Sequence, residues 1–184
     1  VLIHHALDLP RDGQSFLDGL MQADAGFANF EGVIQVPGAW PTKTKTVHAA
    51  DPAALESIRA MGFSGIAHAN NHAFDLGPPG LAATRAAADA AGLALAGSGD
   101  TLSEALAPAP LGAGIRLISV DLGPQGDIVY AGEDRPGIAP LRMRRMVGLG
   151  PDEYRTMQAI LNRLGDADRL KARRRVGYSP GEDD

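Results

Sequence analysis

Phe63-Ser64-Gly65-Ile66-Ala67-His68, then Ala69-Asn70-Asn71-His72-Ala73-Phe74-Asp75-Leu76-Gly77, then Pro78-Pro79-Gly80-Leu81 is the stretch that decides the fold. Its first six residues read as a short buried strand, and the two prolines sit where a helix tolerates them, in its first turn. Between the two lies a turn crowded with amide, imidazole and carboxylate groups. Strand, polar turn and helix in that order place the turn at the carboxyl edge of a strand in an α/β sheet, where backbone is free and ligands bind. Asn70 and Asn71 also suit turn geometry on their own, so a purely structural reading stands beside the chemical one, with His72 as a supporting hydrogen-bonder.

Outward from this turn the pattern repeats. Asp51 is a good helix cap with Pro52 behind it, and Leu55, Ile58 and Met61 form a helical stripe that ends at Gly62. Earlier, Ala25-Gly26-Phe27-Ala28-Asn29 reads as a short strand that delivers Asn29, Glu31 and Gly32 to its end. Period-two geometry puts Asn29 and Glu31 on one side. Residues 33–50 hold two prolines, the single Trp40 and the alternation Thr42-Lys43-Thr44-Lys45-Thr46. They read as a surface excursion with a small hairpin, long enough to cover a site. Residues 1–5 read as an early strand, and Phe16, Leu17, Leu20 and Met21 as one face of a helix.

Downstream, an alanine-rich helix is expected over residues 81–91, closed by Gly92. A strand follows at 93–96, a turn at Ser98-Gly99-Asp100, a short helix at 102–106 and a clear β-run at 115–120. Alternating β and α segments predict a layered α/β (α+β) fold in one domain over residues 1–184. Residues 124–184 form its turn-rich connection, a helix over 151–164 and a basic tail.

The 184 residues are 45% hydrophobic, enough for a packed core, and the formal charge of −5 gives no general attraction to nucleic acid. The late run Lys171-Ala172-Arg173-Arg174-Arg175 lacks interleaved aromatics and reads as a solvated face. The absence of cysteine excludes disulfides, thiolate metal sites and a cysteine nucleophile. No apolar run is long enough to cross a bilayer. The opening Val1-Leu2-Ile3 has no initiator Met and is expected to continue a chain that begins earlier.

A serine triad lacks its Gly-x-Ser-x-Gly elbow and a phosphate loop lacks its Gly-Lys signature; Gly97-Ser98-Gly99 is too short to replace it. Glu31 offers hard anionic oxygen, Asn71 an amide oxygen and His72 an imidazole, a donor mixture that suits Mn, Fe or Zn. Two such ions about 3.5–4 Å apart can hold a hydroxide and neutralise a phosphate, with His72 protonating the leaving oxygen or stabilising charge. Glu31 also has an ordinary reading as a surface carboxylate. Asp75 can orient His72 or cap the next helix. His48 is expected to be exposed in the excursion or to reach in as a lid residue, His68 to pack beneath the cluster, and at most one of His4 and His5 to serve it.

The stretch Ala23-Asp24-Ala25-Gly26-Phe27-Ala28-Asn29-Phe30-Glu31-Gly32, the turn from Ala69 to Gly77 with Gly80 and Thr84, and Ala91-Gly92 followed by Gly97 resemble the CapA family of bacterial capsule and poly-γ-glutamate synthesis proteins. Pro136-Gly137-Ile138-Ala139-Pro140 is similar as well. The resemblance implies a fold related to calcineurin-like metallophosphoesterases, a sandwich around a dimetal centre. It makes Glu31 and Asn71 metal ligands, His72 the phosphate-facing or acid residue with Asp75 beside it, and Asn29 and Asn70 substrate or supporting residues.

The same resemblance implies two divalent ions in the complete protein, and as partners an anionic polymer or a phosphorylated small substrate, together with other capsule-synthesis proteins. It further implies the cell envelope or periplasm, with the cytoplasm left open and membrane association only through segments outside this chain. The family's Gly-Asp pair does not precede Val1, and its His-x-Gly and Gly-His-x-x-His motifs do not follow Gly137. The chain is therefore expected to be a piece cut at both ends, with part of the metal shell and weak metal affinity alone. A rival reading is a non-catalytic component that binds an anionic polymer through Lys43, Lys45 and the late arginines.

Overall fold

The computed structural model describes residues 18–19, 22–44, 46–123, 128–142 and 148–163. In chain order the elements are β1 (Phe27–Asn29), β2 (Val33–Ile34), β3 (Ala49–Ala50), α1 (Ala53–Ala60), β4 (Gly65–Ala67) and α2 (Gly77–Ala90). There follow β5 (Ala94–Ala96), β6 (Ser98–Gly99), α3 (Leu102–Leu106), β7 (Ala109–Gly112), β8 (Ile115–Leu117), β9 (Gly137–Ile138) and α4 (Pro151–Arg163). The mixed α/β class expected from the alternation is borne out.

The central sheet runs β1-β4-β5, all parallel, with Ala28 opposite Ile66 and Ile66 opposite Leu95. Parallel neighbours need a crossover, and α1 and α2 supply the two. Ile66 is fully buried between them, against Leu55 and Ile58 of α1 and Ala88 of α2. Asp51 caps α1 as expected, its Oδ1 accepting from the Ala53 N–H at 2.9 Å. Inside the core, Thr84 Oγ1 accepts from the Ile34 N–H and donates to the Gly80 carbonyl, both at 2.8 Å, so its buried hydroxyl is satisfied. Gly65 has no room for a side chain: a Cβ there would stand 2.5 Å from Leu111 Cδ2 and 2.7 Å from the Ala94 carbonyl. That absence lets β7 lie close against the sheet.

The observed elements depart from the sequence expectations in four places. The excursion is no hairpin: β2 and β3 pair in parallel, Val33 with Ala49 and Ile34 with Ala50, because the intervening chain loops out and returns in the same direction. Helix α2 begins at Gly77 rather than 81, since Pro78 and Pro79 occupy first-turn positions whose N–H groups have no helical partner anyway. Ser98-Gly99 is not only a turn but a strand, paired with Ile138 and Gly137, a partner too distant in sequence for local pattern to reveal. Only residues 115–117 of the expected β-run pair, and their partner is β7, which carries Pro110 in a two-stranded edge ribbon where a missing N–H is tolerated. Ala113 and Gly114, both with positive φ, turn that ribbon.

Residues 1–143 and 144–184 form two compact units. In the second, α4 leaves no residue buried, but Tyr154, Met157 and Leu161 are half-covered along one stripe. Glu153 Oε2 accepts from the Gly150 N–H at 2.7 Å at its start, and Asp152 pairs with Arg155 one turn on. Residues 18 and 19 are helical, in keeping with the helix expected there. The expected strand 1–5 with His4 and His5, the apolar residues of that first helix, Lys45, the run 171–175 and the acidic end lie outside the described residues.

Candidate functional site

Because β1 and β4 are parallel neighbours, the segments leaving their carboxyl ends run side by side. The Phe30 N–H donates to the Ala67 carbonyl at 3.0 Å and so carries the ladder one residue past β1. Asn70 then staples the two ends: its Nδ2 donates to the Phe30 carbonyl at 2.9 Å and to Asn29 Oδ1 at 3.3 Å, while its Oδ1 accepts from the His72 N–H at 3.0 Å. The Asn70 amide is thus spent on holding the turn. Exposure alternates from Phe27 through Ala28, Asn29 and Phe30, and leaves Glu31 half-exposed, in keeping with Asn29 and Glu31 on one side. The Glu31 carboxylate and the Asn71 side-chain amide have no hydrogen-bond or ion-pair partner among the described residues, so both keep open valences.

Asp75 is the hub. Its side chain is 1% exposed, and it accepts from the His48 N–H at 2.8 Å through Oδ2, which also lies 2.8 Å from His72 Nδ1. Its Oδ1 faces the Lys43 ammonium at 2.5 Å. Since a carboxylate can only accept here, the 2.8 Å contact puts the His72 proton on Nδ1 and leaves Nε2 as the atom without a protein partner. Helix α2 takes no side-chain cap from Asp75, so of the two roles read for Asp75, the structure shows the orienting one. His48 closes the other side, its ring stacked on that of His72 with centroids 3.8 Å apart and planes 4° from parallel. The excursion is pinned to the turn between these points: the Thr42 N–H donates to the Asp75 carbonyl at 2.8 Å and its hydroxyl to the Phe74 carbonyl at 2.7 Å.

Beneath the turn, His68 is fully buried, as expected. Nε2–H donates to the Gly32 carbonyl at 2.9 Å and Nδ1 accepts from the Ser98 hydroxyl at 2.8 Å. Burial lowers its pKa to about 4, against a smaller opposing effect of the Gly32 carbonyl. Gly97 sits against the same turn with φ +102°, where a Cβ would meet the Ala69 N and Ser119 Oγ at 2.7 Å each. Ser119 Oγ accepts from that Ala69 N–H at 3.1 Å. Farther along, Tyr130 donates to Asp121 Oδ1, and partial burial together with this carboxylate pushes the phenol's pKa up. A cleft of about 700 Å³ lies elsewhere, between α2, α3 and β7, bordered by Arg85, Asp100 and Glu104. It is deeper, yet Arg85 is already tied to both acids. The strand-end turn is distinguished by its unsatisfied donors.

Those donors are Glu31, Asn71 and His72 Nε2, hard oxygen and borderline nitrogen that fit Mn, Fe or Zn in kind. Among the described residues no three His, Asp or Glu side chains converge as a metal cage, so the donors fit as part of a shell. Asp75 stands outside the set because both its oxygens are taken. Two residues of the site were not legible as such. Lys43, read as an exposed contact for anionic polymer, is 7% exposed and paired internally. His48, for which an exposed loop position was the default, packs on His72. The threonine-lysine alternation was their only signal, and it says surface rather than site.

A parallel α/β edge with an open acid, amide and imidazole defines a strand-end ligand site. Residues 10–138 match the model of the family described as "Bacterial capsule synthesis protein PGA_cap", and the chain belongs to that family. The resemblance read from the Glu31 and Asn71-His72 segments is borne out. Two proteins of Sinorhizobium fredii (strain NBRC 101917 / NGR234), the uncharacterized proteins y4sH and y4uA, are each 29% identical to this chain over 125 residues, or 64% of it. The chain spans 27% of the length of these curated relatives.

Proposed function

We propose that this chain carries part of a metal-dependent phosphoesterase-type site, within a calcineurin-like sandwich, in a protein of capsule or poly-γ-glutamate synthesis. The observation that carries the reading is the contrast inside one turn: Asp75, Lys43, Asn70 and one nitrogen of His72 are fully engaged, while Glu31, Asn71 and His72 Nε2 are left open. Glu31 and Asn71 would hold divalent metal, which when bound supplies positive charge to a phosphate and an ionised water. In that chemistry water oxygen attacks phosphorus as the bond to the leaving oxygen breaks. Protonated His72, held by Asp75 at Nδ1, donates its Nε2 proton to that oxygen and regains one from water. Asn70 fixes the main chain from which His72 projects. The substrate class is a phosphorylated small molecule or an anionic polymer, and the envelope is the expected compartment.

The test is metal analysis and phosphoesterase assay of the full-length protein and its Glu31→Ala variant. The variant is expected to lose metal and at least about 100-fold in activity, since even the hydrogen-bond partners of metal ligands are commonly worth 10–100-fold. A full-length protein that binds polymer in a salt-sensitive way with no metal and no hydrolysis overturns the reading in favour of a non-catalytic binder. Lys43, being internal, would not serve that binder as a contact.

A further inference from the structure

A lysine in a polar excursion is ordinarily solvated, because a compact ammonium loses much hydration free energy on burial. Lys43 instead reaches under the turn. Its Nζ lies 2.5 Å from Asp75 Oδ1, 3.0 Å from the Asn71 carbonyl and 3.1 Å from His72 Nδ1. The last contact is no hydrogen bond when Nδ1 carries its proton toward Asp75, so the ammonium serves two acceptors. Those two acceptors belong to the groups behind the open donors. Asp75 sets the tautomer and plane of His72, and the Asn71 carbonyl belongs to the residue whose amide is left open. Apart from Lys43, Asp75 Oδ1 has no partner among the described residues. Without the cation the carboxylate is free to turn and release Nδ1.

We propose that Lys43 is a positioning residue which sets both open donors of the turn, His72 through Asp75 and Asn71 through its own carbonyl. The His48 ring, delivered by the same excursion, completes the arrangement by fixing the His72 plane from the side. The role rests on the phosphoesterase reading for its kinetic consequence only; the control of the His72 tautomer does not depend on it.

The experiment compares full-length wild type with Lys43→Met and Lys43→Gln. It uses nitrogen NMR of the His72 ring, Mn²⁺ titration and hydrolysis of p-nitrophenyl phosphate. Wild type is expected to hold the single Nδ1–H form. Lys43→Met is expected to populate both tautomers, to bind Mn²⁺ about 10–100-fold more weakly and to lose kcat in the same range, with KM little changed. Lys43→Gln keeps an N–H donor for each acceptor, and intermediate values are expected. A folded Lys43→Met that retains the single tautomer and wild-type Mn²⁺ affinity overturns the role. If Lys43→Met does not fold, Lys43→Gln decides by the same two readouts. If wild type neither binds Mn²⁺ nor hydrolyses the ester, the phosphoesterase reading falls, and the tautomer alone decides the part played by Lys43.

Discussion

Two ion-paired regions of the molecule use similar side chains under opposite conditions. At the strand-end turn, Lys43 and Asp75 are 7% and 1% exposed and each reaches further partners. At the edge of the cleft, Arg85 bonds Asp100 and Glu104 with exposures of 33%, 62% and 49%. Burial removes water from the first pair, so each charge depends on the other and on the hydrogen bonds around it. The second pair keeps its water and is screened by salt. A buried pair of this kind is weak reason to expect net stability. It is a strong constraint on geometry, because breaking it strands a charge. The two histidines repeat the contrast four residues apart: both nitrogens of His68 are bonded within the core, whereas His72 is held by one and open at the other.

Breaking the buried pair should have the largest effect. Asp75→Ala strands the Lys43 ammonium and removes the acceptor of the His48 N–H, and a loss of about 3–5 kcal/mol is expected in urea unfolding. A loss below about 1 kcal/mol would place Lys43 in water and erase the contrast with the cleft edge.

The next effect sharpens the comparison of the histidines. His68 has its folded pKa lowered from 6.5 to about 4, so its contribution is full above pH 6.5. As pH falls below that value the unfolded chain takes up a proton that the folded chain refuses. Stability then declines by about 1.4 kcal/mol per pH unit, ~3 kcal/mol in all, and levels off for this group below about pH 4. Unfolding measured across that window should show the slope in wild type and lack it in His68→Gln. An equal slope in both would mean that His68 is hydrated.

Smallest is the cleft edge. Arg85→Ala should cost less than about 1 kcal/mol, and the difference should shrink further in high salt. A larger, salt-insensitive loss would show that this edge is as dry as the turn.

Much of the fold was open to sequence reading where the information was local. The apolar spacing of Leu55 and Ile58, the Asp51-Pro52 start and the Gly92 stop mark helices that form as expected, and Ile66 sits at the centre of the sheet. The segments around Glu31 and Asn71 were also legible, as was their approach, because parallel strands joined by a helix bring their carboxyl ends together. What escaped were pairings without local pattern. β6 depends on β9 nearly forty residues later, and β7 was masked by the prolines that disfavour a strand inside a sheet but not at its edge.

By itself, the amino-acid sequence determined the α/β class, the placement of the polar turn at a strand end and the family to which the chain belongs. Periodicity and caps act over a few residues and survive in the linear chain. Only the tertiary structure decided which polar groups are spent and which stay open. Lys43 and His48 reach the turn across a sequence separation of about thirty residues, and burial of their charges and rings depends on water excluded by the packed whole. That exclusion fixes Asp75 against His72 Nδ1 and leaves Nε2, Glu31 and Asn71 open.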